Sequence, residues 1–198
     1  MLNLPGLQLS ERKGRLFAAA CCRHIWDLIP KSQAKAIEVA EGVADGRFDG
    51  SQLFAAYFSI KTDHTRSAPQ CALIDDAHET ASWTSSAAAQ TVAEAYNQEE
   101  RLRENYYQSR LLRDILVNPF RPATFNRSWL TPTVMSLAAV IYEERHLPSG
   151  RFDNGRLAVL ADALEEAGCD DADILGHLRG GGDHVRGCWA LDLVLDRK

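Results

Sequence analysis

The 198-residue chain contains no alternating apolar and polar run of the kind that a half-buried strand needs, and no repeat of fixed period. Those absences exclude a sheet-based fold and a solenoid. A long hydrophobic run is also missing. The most apolar segment, residues 16–29, is interrupted by Arg23, His24 and Asp27, which excludes a membrane span there. There is no basic excess: 22 Lys and Arg stand against 27 Asp and Glu, a net charge of −5, where a dedicated nucleic-acid binder needs a basic field. Cysteine is scarce and odd in number, five in all, with Cys21 and Cys22 adjacent, so no secreted disulfide framework is spelled out. The first residues lack the basic-then-apolar order of a signal peptide. The expectation is a soluble cytoplasmic protein with reduced thiols.

What is present is helical. Hydrophobic residues make up 45% and charged residues 25%, enough apolar surface for a packed core. Ser10 caps a helix predicted to run to Ile29, where Pro30 stops it. A second helix is predicted over 32–45 with Gly46 as its stop, and a third opens at Ser51. Residues 61–70 are polar, contain Pro69 and read as a loop. From Cys71 to Leu116 there is neither Gly nor Pro, and the composition favours helix throughout. One long mid-chain helix of about 40 Å follows from ~1.5 Å per residue, with Glu99 and Glu100 each pairing with Arg103 on its outer face. The NPFRP run at 118–122 ends it, with Phe120 plugging the turn. Thr131-Pro132 starts the next helix, as N-cap and first helical residue. Further helices are predicted at 155–167, 171–178 and 184–195. The fold class expected is all-α: a single multi-helix, bundle-like domain over 1–198, of seven to nine helices. Within it lie a long, variable helical arm (71–117) and an acidic C-terminal subregion (151–198).

Four stretches, FAAACCRHIWDLI, LLRDILVNPFRP, WLTPTVMSLAAVIYEER and LADALEEAGCDDADILGHLRGGGDHVRGCWALDLVL, resemble a numerous bacterial family abundant in planctomycete-type genomes. Its members have an alanine-rich, variable helical middle. The segment LADALEEAG is also similar, more weakly, to a short acidic domain that accompanies repeats in such genomes. This chain departs from the family in a shorter lead and a middle less rich in alanine. The resemblance implies membership of a multi-copy family and no particular activity.

Residues 151–198 carry 6 basic against 10 acidic side chains, most of the net charge. Asp162, Glu165, Glu166, Asp170, Asp171 and Asp173 fall within twelve residues with no basic residue between them. A solvated face with helix caps accounts for such a run. The functional alternative is a docking face for a basic protein partner. A calcium loop would need ligands alternating around a fixed Gly, and that pattern is absent.

Cys21 and His24 are spaced i, i+3 on the first helix, and His184 and Cys188 i, i+4 on the last. Each pair can project from one helical face, and together they could close a tetrahedral zinc site. The competing reading makes the cysteines small core hydrophobes. A Cys–His nucleophile would need an exposed, electropositive thiol, whereas both cysteines fall on apolar faces. Asp75 with His78 and Glu143 with His146 suggest a di-iron pattern only incompletely. Arg179 and Arg186 flank a glycine run that could hold an anion, but a helix rather than a strand precedes it, and Asp183 is placed to cap the following helix. Asp192 sits on an apolar face and needs a partner, with Arg23, Arg121 or Arg179 as the expected donor. Trp26, Trp129 and Trp189 read as core anchors. Arg101, Arg103, Arg110, Arg113 and Arg121 form a local basic series that Glu99, Glu100, Glu104 and Asp114 dilute.

Every catalytic set is thus incomplete. The favoured reading is a non-catalytic protein-interaction or accessory module with an acidic C-terminal docking face. The alternatives are a zinc-stabilised regulator or metal-dependent enzyme, and then a nucleic-acid-associated protein.

Overall fold

In a computed structural model of the chain, residues 9–60, 67–74, 76–118, 120 and 123–197 are described. Among them are ten α-helices and no strand; two isolated bridges, His146 to Arg151 and Arg151 to Val185, are the nearest approach to one. The helices are α1 (Glu11–His24), α2 (Ala34–Ala44), α3 (Gly50–Ser59), α4 (Ala68–Cys71) and α5 (Ala77–Ala95), followed by α6 (Gln98–Ile115), α7 (Pro132–Glu143), α8 (Asn154–Glu166), α9 (Ala172–Arg179) and α10 (Trp189–Val194). No described helix is long and apolar enough to cross a membrane. The chain divides into two compact units, Met1–Leu112 and Arg113–Lys198.

In the first unit α1 is the central element, packed by α2, α4 and α5. Its sequence explains why. Ser10 accepts from the Lys13 amide, and Leu16 through Cys22 are all 6% exposed or less. The small side chains Ala18, Ala19, Ala20, Cys21 and Cys22 let neighbouring helices approach from several sides at once. α1 ends at His24, short of Pro30, because the chain tightens into a 3₁₀ turn over Trp26–Leu28. Two buried cations stabilise the packing. Arg23 makes a bidentate pair with Glu41 of α2, at 2.6 and 2.9 Å, and Arg15 donates to the carbonyls of Ala72 and Ile74 at the turn after α4. Gly42 is required by close approach, since a Cβ there would lie 2.2 Å from the Phe48 ring.

The single long helix expected across 71–117 does not form. The chain makes the short α4, then α5, then α6, with a break at Tyr96 and Asn97. The physical reason is capping rather than Gly or Pro. Asp76 accepts from the Glu79 amide to start α5, and Asn97 accepts from the amides of Glu99 and Glu100 to start α6. α5 packs along α1 through Ala81, Ala88, Ala89 and Val92. On α6 the expected pairs of Arg103 with Glu99 and Glu100 are formed, at 2.7 and 2.8 Å.

The second unit is built on α7 to α10, around Val134, Ile141, Leu157, Leu160, Leu164, Ile174, Leu178 and Leu191. Each of these side chains contributes on the order of 1.5–3 kcal/mol by leaving water. Side-chain caps set the helix starts: Thr131 for α7, Asp153 for α8 and Asp171 for α9. Trp129 belongs to this core, and Trp189 packs against it. Trp26 is half-buried. Phe120 is 89% exposed, so it plugs nothing; Pro119, Arg121 and Pro122 of the NPFRP run, like Asp75 and residues 61–66 of the expected loop, lie outside the described residues.

The last helix also starts later than expected, at Trp189 rather than near residue 184. Residues 180–188 are irregular. The stretch is drawn across the unit: the His184 carbonyl accepts from the Phe152 amide, and the Val185 amide donates to Asp114. Asp183 is therefore no N-cap and pairs instead with Arg151 at 2.9 Å.

Candidate metal centre

Four groups able to ligate a metal converge in the second unit: Asp114, His177, His184 and Cys188. Asp114 lies in the last turn of α6 and His177 in the last turn of α9. His184 lies in the irregular segment, and Cys188 is the residue before α10. One ligand atom from each lies within 4.8 Å of all the others. His184 Nδ1 is 2.7 Å from Asp114 Oδ1, and His177 Nε2 is 3.1 Å from the same oxygen. Cys188 Sγ is 3.2 Å from His177 Nε2 and 3.8 Å from His184 Nδ1.

The surroundings fix these groups. The Val185 amide donates to Asp114 Oδ2 at 2.9 Å, leaving Oδ1 to face the imidazoles. His184 Nε2 donates to the Gly180 carbonyl at 3.1 Å, which turns Nδ1 inward. The ring of His177 is wedged between His184 and Trp189, each 4.8 Å away by centroid. At the exit from α9 a Cβ on Gly180 would lie 3.1 Å from the His177 carbonyl oxygen, a tight approach that glycine avoids.

Asp114, His184 and Cys188 are buried, and His177 is half-buried. Taking a carboxylate out of water costs several kcal/mol unless it is paired. Burial pushes the Asp114 carboxyl up, but the hydrogen bonds from His177 and His184 outweigh it and hold the group below the ordinary carboxylate range. Burial pushes His184 down; the hydrogen bond and charge of Asp114 prevail, and its imidazole is raised. The Cys188 thiol is raised well above its usual value by burial, and further by the charge of Asp114. An inaccessible, protonated thiol is a poor nucleophile. A relay triad is also excluded by geometry, because His177 meets both Asp114 and Cys188 through the same atom, Nε2.

Convergence of lone-pair atoms on one point is what a metal requires. Zinc bonds of ~2.0–2.3 Å in a tetrahedron set ligand atoms roughly 3.3–3.8 Å apart, a spacing the present distances bracket. The donor set of one oxygen, two nitrogens and one sulfur suits zinc, and the backbone carbonyl behind His184 is the usual outer support of a ligating imidazole.

Half of the zinc set expected from sequence is therefore brought together, though for a different reason. His184 and Cys188 do not share a helical face; they meet because the segment between them is irregular. Cys21 and His24 belong to the first unit and take no part in this group. Cys21 is wholly buried in α1, its thiol raised by burial and then by Cys22. His24 Nδ1 lies 2.6 Å from Glu104 Oε2, and its ring stacks on Tyr107. Sequence reasoning missed Asp114 and His177. The signals were a carboxylate in the last turn of a helix, where the dipole disfavours it, and the His-x₆-His-x₃-Cys spacing of 177, 184 and 188.

The remaining candidates are occupied in other ways. Asp162 and Glu165 both pair with Arg179, Asp171 caps α9, and Glu166, Asp170 and Asp173 are exposed. Arg186 donates to Glu143 at 3.2 Å and lies over the Tyr142 ring. Both arginines of the suggested anion site thus engage carboxylates. Glu143 and His146 diverge, the latter facing Asp153 at 3.5 Å. Asp192 is buried, as its apolar neighbours required, while Arg23 and Arg179 pair with Glu41 and with Asp162 and Glu165. No family model, curated protein or solved structure matches the chain.

Proposed function

We propose that the protein is a metal-stabilised, non-catalytic helical module whose second unit holds a zinc-type cation on Asp114, His177, His184 and Cys188. The observation that carries the reading is the convergence of four ligand atoms from three helix termini and one irregular segment within 4.8 Å. Four protein ligands complete a tetrahedron and leave no position for a substrate, the mark of a structural rather than a catalytic zinc. Such a metal would tie Asp114, α9 and α10 to the segment 180–188, whose only bridge among the described residues is Val185 to Arg151. Thiol ligation accords with a reducing, cytoplasmic setting, and all five cysteines are free.

The non-catalytic role is interaction with a basic protein segment, for which the exposed Glu166, Asp170 and Asp173 supply the charge. Elemental analysis of protein purified without chelator tests the metal. About one zinc per chain is expected for four protein ligands. Clearly substoichiometric metal, unrestored by added zinc, overturns the reading.

A further inference from the structure

In the first unit a cavity of about 410 Å³ opens beside the end of α1, with His24 and Glu104 in its wall. We propose that it binds an uncharged aromatic molecule bearing a hydroxyl group, which His24 Nε2 receives. The size is that of a small-molecule site.

Glu104 is 3% exposed and is held from two sides: Gln108 donates to Oε1 at 2.8 Å, and His24 Nδ1 lies 2.6 Å from Oε2. Gln108 is itself fixed by the Ser85 carbonyl at 3.1 Å. A carboxylate offers only acceptors, so Nδ1 is the donor in that contact, and the neutral ring then carries its lone pair at Nε2. One face of the ring is covered by Tyr107, at 3.4 Å between centroids and 14° between planes. Among the described residues nothing hydrogen-bonds to Nε2. The ring is thus oriented by a buried carboxylate and an aromatic stack, with one acceptor left over in the wall of a cavity.

The rest of the wall selects the ligand. Tyr96, Tyr106, Val92 and Leu28 supply flat and apolar surface. The charges there are mixed: Asp27, Glu100 and Glu104 against Arg103 and Arg110, with Arg103 paired to Glu99 and Glu100. An anion meets Glu104 behind the imidazole, and a cation meets the arginines, so a neutral ring is favoured. Its polar group must donate, because Nε2 accepts. Glu104 acts here as a positioning residue.

The test is titration of the full chain, labelled with ¹⁵N-histidine, with phenol as the probe, followed at the His24 ring nitrogens. A saturable shift at Nε2 is expected, with anisole, which lacks the donor, binding roughly tenfold more weakly, the worth of one hydrogen bond. His24→Ala, checked for fold by circular dichroism, should abolish the difference between phenol and anisole. Glu104→Gln should move the ring proton to Nε2, read directly from the nitrogen shifts, and erase the preference for phenol, since an Nε2–H donates to the oxygen of either probe. No saturable shift at Nε2, or equal binding of phenol and anisole to the unmodified chain, overturns the proposal. The measurement reads the first unit alone and is independent of the metal content of the second.

Discussion

His184 is held at both ring nitrogens: Nδ1 lies 2.7 Å from Asp114 Oδ1, and Nε2 lies 3.1 Å from the Gly180 carbonyl oxygen. The outer bond sets the ring plane and directs Nδ1 at the point where His177 and Cys188 also aim. A histidine oriented in this way from behind is arranged as a metal-ligating imidazole would be.

Zinc should raise the stability of the protein, and a chelator should lower it. At free zinc of ~1,000 times the dissociation constant the gain is about 4 kcal/mol. Thermal melts with and without chelator measure it. Cys188→Ser and Asp114→Ala should each lose the chelator sensitivity along with the bound metal. Cys21→Ala and His24→Ala should retain both, which separates the centre seen in the structure from the set suggested by spacing alone. Retention of full zinc by Cys188→Ser would exclude the thiol as a ligand.

The buried Arg23–Glu41 pair gives a second outcome. Both side chains are 3% exposed, and the contact is bidentate. Glu41→Gln should cost on the order of 3–5 kcal/mol, because it removes the carboxylate charge paired with a buried guanidinium. Replacing both residues with apolar side chains of similar size should restore much of the loss. Urea unfolding of the two variants measures the difference, and a Glu41→Gln change below ~1 kcal/mol would show that the charge is not sequestered.

The break between α5 and α6 is tested by sign. Asn97 caps α6, so Asn97→Ala should destabilise by about 1 kcal/mol. In one unbroken helix the same change would stabilise by a few tenths of a kcal/mol, since alanine is the better helix former. A shift of the denaturation midpoint to lower urea supports the break; a shift to higher urea supports a continuous helix.

Acid should loosen the start of α8. Asp153 accepts from the Arg156 amide, which with His146 holds its carboxyl below the ordinary range. A carboxyl lowered in the folded state contributes stability that is full above its unfolded value, ~3.9, and is lost as pH falls through the lower folded one. The stability difference between the unmodified chain and Asp153→Asn should therefore shrink between about pH 4 and pH 2. A difference that stays constant over that range would show that the charge of the cap is immaterial.

The all-α class, and most helix starts, were legible in the residues themselves. Ser10 and Thr131 announce α1 and α7 because an N-cap acts within one turn of chain, a distance that sequence spacing records directly. The Glu99, Glu100 and Arg103 pairs were legible for the same reason. Asp76 and Asn97 carried equally local signals, outweighed in the reading by a helix-rich composition, so one long helix was expected where two stand.

The candidate metal centre was only half legible. His184 and Cys188 stood out by type, but Asp114 lies 63 residues before His177 and 70 before His184. No spacing rule joins residues that far apart. They meet because the segment 180–188 gives up helical hydrogen bonding and crosses to Asp114, with its Val185 amide satisfied by that carboxylate. Local chemistry along the chain determined which segments are helices and where most of them begin. Only packing of those helices decided which polar side chains lost their water together, and a buried carboxylate, two imidazoles and a thiol without water must satisfy one another or bind a cation.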